Sequence, residues 1–116
     1  MAFKHAAQAI KTPLPSMNVP ETAAFLGDVH ISNDKEKPIT CGFFRMEKGK
    51  TLEYDYDYEE MKLIVEGEMI ISDESGNRVH AKAGDVFYFA KGSRIRFESP
   101  SYGIGFFCGQ RPWGAA

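Results

Sequence analysis

Glu60 and Lys62, near the middle of the chain, combine the side-chain types of general acid–base chemistry. Residues two positions apart in a strand share a face with backbones about 7 Å apart, so these two long side chains can meet. Burial lowers the pKa of a lysine, and a neighbouring carboxylate raises it again. A neutral Lys62 would act as a base or nucleophile, whereas a charged one would hold an anionic substrate. A purely structural ion pair is the alternative interpretation.

Tyr54 and Tyr56 precede this pair in residues 51–58, where hydrophobic and acidic side chains alternate strictly. The alternation predicts a strand with its aromatic face in the core and its acidic face in solvent. Because buried tyrosine hydroxyls need hydrogen-bond partners, we interpret both tyrosines as donors in a polar pocket. Simple core packing is the alternative. The predicted catalytic residues are therefore Tyr54, Tyr56, Glu60 and Lys62.

The residue types that bind metals do not converge in the sequence. Acidic residues at positions 55–60 could attract Mg²⁺ or Ca²⁺, but successive strand residues point to opposite faces, which favours a solvated edge. The three histidines are scattered, at His5, His30 and His80. We predict no cofactor and no metal ligand, and we keep a divalent metal ion as an alternative. Arg45 and Arg111 are candidate anion-binding residues.

The composition limits the class of protein. The chain has 116 residues, enough for one domain with a stable core. Its formal net charge of −2 lacks the basic surplus of nucleic-acid-binding proteins. No apolar stretch reaches the roughly 20 residues of a membrane span. The charge and the lack of a span predict no nucleic-acid partner and no membrane partner. Cys41 and Cys108 lack metal-binding spacing and indicate reduced, buried thiols, which predicts a cytoplasmic protein.

Short strands separated by turns must position the candidate residues. Residues 1–22 are predicted to form a peripheral N-terminal arm, with a short helix at 4–11 and an extended, proline-containing stretch after it. Residues 23–116 are assigned to one β domain, because from residue 40 onward apolar runs and turns recur at intervals of roughly 8–12 residues. The runs at 61–65 and 69–72 are predicted as two separate strands.

Two stretches resemble the paired sequence motifs of the cupin family. The first, GKTLEYDYDYEEMKLIVEGE, begins at Gly49, and the second, GDVFYFAKGSRIR, begins at Gly84. The resemblance implies an all-β cupin (RmlC-like) jelly-roll β-barrel with an extended N-terminal arm. In that fold Glu60 faces inward, and Lys62 faces inward with it. The opposite, apolar side of the strand would then need covering, which predicts a homodimer.

The metal ligands of the cupin family are largely missing from these motifs. Glu60 matches the motif glutamate, but Tyr54 and Tyr56 occupy the positions of two motif histidines. Ile95 occupies the position of the third histidine. The resemblance therefore implies a cupin without the three-histidine metal site, and a register shifted by one residue, which would use the neighbouring aspartates, is the alternative.

A closer resemblance is to a cupin subgroup that lacks these histidines, the EutQ-like group of ethanolamine utilisation. It is carried by CGFFRMEKG, YEEMKLIVEGE and AKAGDVFYFAKGSRIRFESP, and it covers roughly residues 24–113. This resemblance implies a place in bacterial carbon or amine catabolism. The acetate-kinase-type activity attributed to the group is not carried over, because the sequence shows no phosphate-binding glycine loop.

We predict a small-molecule enzyme of proton-transfer, isomerase or lyase type, or a metabolite-binding protein. Glu60 would be the acid or base, Lys62 the anion binder or base, and Tyr54 and Tyr56 the hydroxyl donors. The first alternative is a non-catalytic binding or assembly protein with a vestigial pocket, which a barrel filled by its own side chains would favour. The second is a metal-dependent cupin with Tyr, Asp and Glu ligands. The predicted partners are a small-molecule ligand and a second copy of the chain.

Overall fold

The fold is built almost entirely from β-strands. The computed structural model describes residues 2–116 and contains a 3₁₀ turn at Ala9–Lys11 followed by strands. In chain order these are β1 Ala24–Ile31, β2 Thr40–Glu47, β3 Leu52–Asp55, β4 Glu60–Asp73, β5 Arg78–Lys82, β6 Val86–Phe89, β7 Arg94–Glu98 and β8 Tyr102–Gly109. The predicted all-β jelly-roll barrel is confirmed. Within the described residues, no helix is long and apolar enough to cross a membrane.

Two curled antiparallel sheets enclose the core. Sheet 1 runs in the order β1-β2-β8-β4-β6, and sheet 2 runs in the order β3-β7-β4-β5. The long strand β4 belongs to both sheets: residues 60–67 pair with β8, and residues 68–73 pair with β5 and β7. Because β4 forms the seam between the sheets, its inward side chains lie at the centre of the barrel.

The prediction of two separate strands at 61–65 and 69–72 is wrong, since β4 is continuous. The chain changes sheet at Gly67, whose φ is 69°, a left-handed conformation that favours glycine. A Cβ atom at this position would lie 2.3 Å from the carbonyl oxygen of Tyr102. The Glu-Gly signal that predicts a turn therefore marks a bend within a strand.

Two other predicted elements are shorter than expected. The strand predicted at 51–58 ends at Asp55, because residues 56–59 cross from sheet 2 to sheet 1. Its alternation continues through the crossing, where Tyr56 and Tyr58 are buried and Asp57 and Glu59 are exposed. The helix predicted at 4–11 is only a single 3₁₀ turn, because none of its residues is buried against the barrel and short isolated helices are marginal in water.

The outer faces of the two sheets differ in character. Sheet 1 exposes apolar side chains, which we call the apolar face and define as Met61, Leu63, Val86 and Tyr88. Sheet 2 instead carries a network of surface ion pairs, including Arg96 to Glu53 at 2.9 Å. The inner faces of both sheets pack into one core rich in phenylalanine and methionine, with Phe44, Met46, Ile64, Met69, Phe97 and Phe107 fully buried.

Candidate functional site

Glu60 and Lys62 form a buried ion pair in the barrel interior. They are two residues apart on β4, both side chains are 3% exposed, and Lys62 Nζ lies 3.3 Å from Glu60 Oε2. Gly105 on β8 makes room for the lysine, because a Cβ atom there would lie 3.1 Å from both Cγ and Cδ of Lys62. The structure thus brings together the pair that the spacing in the sequence predicts.

Aromatic rings surround the Lys62 ammonium. Its Nζ atom lies 4.2 Å from the ring centroid of Phe44, 4.3 Å from that of Phe97 and 5.6 Å from that of Phe89. These rings offer cation–π contacts but no hydrogen bond, so they replace only part of the hydration that a free ammonium has. Burial lowers the pKa of Lys62 more than the Glu60 carboxylate raises it. The lysine is therefore a stronger candidate for proton exchange than an exposed one.

Tyr56 extends the ion pair into a hydrogen-bonded chain. Its hydroxyl donates to Glu60 Oε2 at 2.5 Å, so one carboxylate oxygen is shared by Tyr56 and Lys62. The ring stacks on Phe89 with centroids 5.2 Å apart. Burial raises the pKa of Tyr56 well above its ordinary value, and the Glu60 charge raises it further. Tyr56 consequently remains a protonated donor across the physiological pH range.

Tyr54 and Tyr58 form a second hydroxyl pair next to this chain. Their oxygens lie 2.9 Å apart, and the Tyr54 ring meets the Tyr56 ring edge-on at 4.8 Å between centroids. Tyr54 is half-buried, whereas Tyr58 is buried, so Tyr54 is the most accessible of the three hydroxyls. Burial raises the pKa of Tyr58, so it too stays protonated. No role is predicted for Tyr58 from the sequence, although the alternation that selects Tyr54 and Tyr56 extends to it.

Arg111 borders the tyrosines from the C-terminal segment. Its guanidinium binds Asp28 through two hydrogen bonds of 2.8 and 3.0 Å, and both side chains are almost fully buried. The same guanidinium lies 5.5 Å from the Tyr58 ring centroid. Burial raises the pKa of Asp28, but hydrogen bonds from Arg111 and Gly114 outweigh it and the net pKa is lowered. The predicted anion-binding residue is therefore already paired with an anion.

The remaining candidates lie away from this cluster. His30 is opposite Cys41 on the outer side of sheet 1, and the exposed His80 contacts Glu68 on sheet 2. Arg45 pairs with Glu47 at 2.7 Å. The acidic run does not converge: Glu59 accepts from Tyr88 and Lys91, whereas Asp55 pairs with Arg94. These residues stabilise surfaces and edges rather than a common site.

The residues at the cupin metal position do not fit a transition-metal ion. Ile95, where the third motif histidine would stand, is apolar and buried. The Glu60 carboxylate is already bound by the Lys62 ammonium and the Tyr56 hydroxyl. Tyr54 and Tyr56, which lie near this carboxylate, have raised pKa values. Their hydroxyls therefore stay protonated and do not supply the anionic oxygen that a metal ion would bind. A metal ion would have to displace Lys62, so we derive no step through a metal.

The barrel interior is filled by its own side chains, with Tyr56, Ile95 and Phe97 all buried. Beside it lies a groove of about 380 Å³, where β5 and β6 end the two sheets. Phe89 and Ile95 are among the residues that line it. Phe89 also stacks on Tyr56, so this ring contacts both the groove and the Tyr56–Glu60–Lys62 chain.

Comparison with known proteins places this architecture in a family. The sequence matches the family described as "Ethanolamine utilisation protein EutQ" over residues 14–108. The chain belongs to the EutQ family. A protein from Clostridioides difficile strain 630 named "Acetate kinase EutQ" is 34% identical over 70 residues, which are 59% of this chain and 43% of that protein. This EutQ-family chain thus spans less than half the length of that relative.

Solved structures agree with the family and the fold. The crystal structure of a putative ethanolamine utilisation protein EutQ from Salmonella typhimurium LT2 has a TM-score of 0.64 and 28% identity, covering 80% of this chain and 71% of that one. A cupin 2 conserved barrel domain protein from Salinispora arenicola has a TM-score of 0.66 and 19% identity, covering 99% of this chain and 90% of that one. The jelly-roll of this EutQ-family chain is therefore a cupin barrel.

Proposed function

We propose that this EutQ-family cupin binds a small metabolite of ethanolamine utilisation and catalyses proton transfer on it. The observation that carries the proposal is the continuous chain of Tyr56 hydroxyl, Glu60 carboxylate and Lys62 ammonium inside an aromatic cage. An acid–base pair kept from water and held by fixed hydrogen bonds is the arrangement that general acid–base catalysis needs. Isomerisation and lyase chemistry both begin with such a proton transfer.

Each residue of the chain has a distinct part in this proposal. Glu60 takes a proton from the substrate, and Lys62 stabilises the charge that develops or returns the proton. Tyr56 holds the Glu60 carboxylate in place by donating to its Oε2 atom, and Tyr54, which can accept from Tyr58, donates a hydrogen bond to a substrate oxygen. The substrate enters from the groove beside β5 and β6, because Phe89 lines that groove and its ring stacks on Tyr56. A filled interior restricts the substrate to a small molecule.

A panel of small carboxylates, amines and aldehydes tests the proposal by thermal shift. A ligand at about 100 times its Kd should raise the Tm of the wild-type chain by roughly 10 °C. The shift should be lost in Glu60→Gln and reduced in Tyr54→Phe, which removes one hydroxyl. Arg96→Ala, on the outer face of sheet 2, is the matched control and should keep it. A ligand that shifts Glu60→Gln as strongly as wild type contradicts the proposal.

A non-catalytic binding or assembly role is the second candidate, and one observation favours it. The buried Tyr56, Ile95 and Phe97 fill the barrel, which is the arrangement expected for a vestigial pocket. In that case no panel compound would produce a shift that depends on Glu60. Substitution at the apolar face would then change assembly while Glu60→Gln left assembly unchanged.

Acetate kinase, the activity in the name of the C. difficile relative, is not our proposal for this chain. The two buried cations of the candidate site, Lys62 and Arg111, are each held by a carboxylate, so neither is free for a phosphoryl group. We expect no ATP-dependent shift from this chain alone. We also propose a cytoplasmic location, because Cys41 and Cys108 are free thiols of the kind kept reduced there.

A further inference from the structure

Two free thiols lie directly opposite each other on the outer side of sheet 1. Cys41 on β2 pairs with Cys108 on β8 in the antiparallel register. Directly opposed residues project to the same side of a sheet. Their sequence neighbours Gly42 and Phe107 are buried on the inner side, as alternation requires. Burial raises the pKa of Cys108, and the nearby Cys41 raises it further, which is a second sign that the thiols are close.

The backbone hydrogen bonds of β2 define the geometry of this pair. At the end of β2, the N–H group of Glu47 donates to Ala23, on the β1 side of the strand. Backbone groups of successive strand residues point to alternate neighbours. Cys41, an even number of residues away from Glu47, therefore also bonds toward β1 and leaves its pairing with Cys108 without backbone hydrogen bonds.

The backbone hydrogen bonds of β4 give the same assignment from the other side. The N–H group of Ile64 donates to Asp85, next to β6 and away from β8. By alternation Met61 bonds in the opposite direction, toward β8, where Cys108 is its partner in the register. The backbone of Cys108 therefore bonds to β4 and not to β2.

A non-hydrogen-bonded pair has the spacing of a disulfide. The Cα atoms of such a pair lie about 4.5 Å apart. Cα atoms joined by a disulfide lie about 4.4–6.8 Å apart. Both cysteine side chains are half-buried, and they lie on β2 and β8, whereas the apolar face lies on β4 and β6. The two sulfur atoms can therefore bond without a shift in strand register.

We propose that Cys41 and Cys108 are a redox modification site, at which a small disulfide such as oxidised glutathione converts them into one intrachain disulfide. One cysteine thiolate attacks a sulfur atom of oxidised glutathione, which releases one glutathione and leaves a mixed disulfide. The other cysteine thiolate attacks the protein sulfur of that mixed disulfide and releases the second glutathione. Two electrons and two protons pass from the cysteines to glutathione, and excess reduced glutathione reverses the reaction. Disulfides of this reversible kind are the ones found in the cytosol.

An equilibrium titration in glutathione redox buffers tests the site. Wild-type protein, native or unfolded in urea, is equilibrated without oxygen at stepped ratios of oxidised to reduced glutathione. After an acid quench, the free thiols are alkylated and counted by mass spectrometry. Strand pairing holds the thiols together only in the native state, so the equilibrium constant for disulfide formation should be roughly 100-fold larger there. A native chain that needs an equally or more oxidising buffer than the unfolded chain overturns the proposal.

Peptide mapping and three variants identify the bond. The tryptic peptides 36–45 and 97–116 should be recovered joined within one chain. Cys41→Ser and Cys108→Ser each keep one thiol, which should take up a single glutathione and give no joined peptides. Met61→Leu, which changes the neighbour of Cys108 and keeps both thiols, is the matched control and should have the wild-type equilibrium constant. A wild-type disulfide that joins two chains instead of two positions in one chain contradicts the proposal.

Discussion

Lys62 is the side chain whose environment is hardest to explain without a partner. With both charges 3% exposed, Glu60 is the group that compensates its burial. Removing one member of a buried pair leaves the other uncompensated, which costs about 3–5 kcal/mol. We therefore expect Glu60→Gln and Lys62→Met each to lower the free energy of unfolding by that amount, and the double variant to be more stable than either.

Urea denaturation of the four proteins at pH 7 gives the double-mutant cycle for this pair. The two single variants serve as controls for each other, since each leaves a charge of opposite sign. Additive effects of the two substitutions would show that the pair does not couple.

The protonation of Lys62 adds a dependence of stability on pH. Its native pKa is below the ordinary value of 10.5, so the unfolded chain binds more protons in the interval between the two values. The free energy of unfolding contributed by this group therefore rises with pH across that interval. The buried tyrosines act in the opposite direction above pH 10, because their native pKa values are raised.

The contribution of Lys62 can be isolated by subtracting the curve of Lys62→Met from that of wild type. Chemical denaturation at several alkaline pH values should show the free energy of unfolding of wild type rising relative to that of Lys62→Met as pH approaches 10.5. The tyrosine contributions cancel in this subtraction. A difference that stays constant with pH would mean that Lys62 has its ordinary pKa in the native state.

The sequence predicts only part of the site at this scale. Period-two alternation brings Glu60 beside Lys62 and turns Tyr56 inward, because both follow from strand geometry within a few residues. No such rule connects Asp28 to Arg111, which meet only after β1 and the C-terminal segment come together across 83 positions. The arginine side chain marks Arg111 as a candidate anion-binding residue, but nothing in the sequence selects Asp28 as the anion that it binds.

Among the elements, β4 has the greatest influence on the site, and Gly67 is the position in β4 that we expect to tolerate substitution least. A side chain there would meet the Tyr102 carbonyl oxygen and also adopt a φ of 69°. Gly67→Ala should therefore lower the free energy of unfolding by roughly 3 kcal/mol or more. Gly76, in the turn after β4, has a φ of 92° but open space around it, so Gly76→Ala should cost only about 1 kcal/mol.

Urea denaturation compares the two glycine variants under the same conditions. Both variants replace a left-handed glycine, so the difference between their losses in free energy of unfolding measures the cost of the close contact at the bend of β4. Equal losses would contradict a close approach of β8 to β4 at this point.

At the level of elements, the sequence predicts the strands well and the connections between them poorly. Alternation and turn residues locate most strands, because each strand buries one face. The connections between strands depend on tertiary structure. Glu66-Gly67 is typical of a turn in sequence, but in the structure it bends the single strand β4 from one sheet into the other. Residues 56–59 have the alternation of a strand, but they form the crossing from sheet 2 to sheet 1. Local sequence cannot distinguish these cases, since a left-handed glycine suits a turn and a bend equally well and the alternation continues beyond the end of β3.

At the scale of the whole molecule, the two outer faces suggest different surroundings. Sheet 2 is covered by ion pairs such as Arg94 with Asp55 at 3.3 Å, as expected for a surface in water. The apolar face of sheet 1 leaves Val86 71% and Met61 54% exposed. Neighbouring exposed apolar side chains of this kind mark an interaction surface. We therefore propose that sheet 1 binds another protein surface.

A second copy of the chain is the occupant that we propose, because two identical apolar faces related by a two-fold axis cover each other. A stable interface buries about 800 Å² per partner, an area within reach of one face of a five-stranded sheet. We expect a homodimer by analytical ultracentrifugation at micromolar concentration. Leu63→Lys combined with Val86→Lys should give a monomer with unchanged circular dichroism, since both side chains project outward. The control variant Arg94→Ala with Arg96→Ala, on sheet 2, should leave the dimer intact. If the double lysine variant stays dimeric and the double alanine variant becomes monomeric, the interface lies on sheet 2 instead.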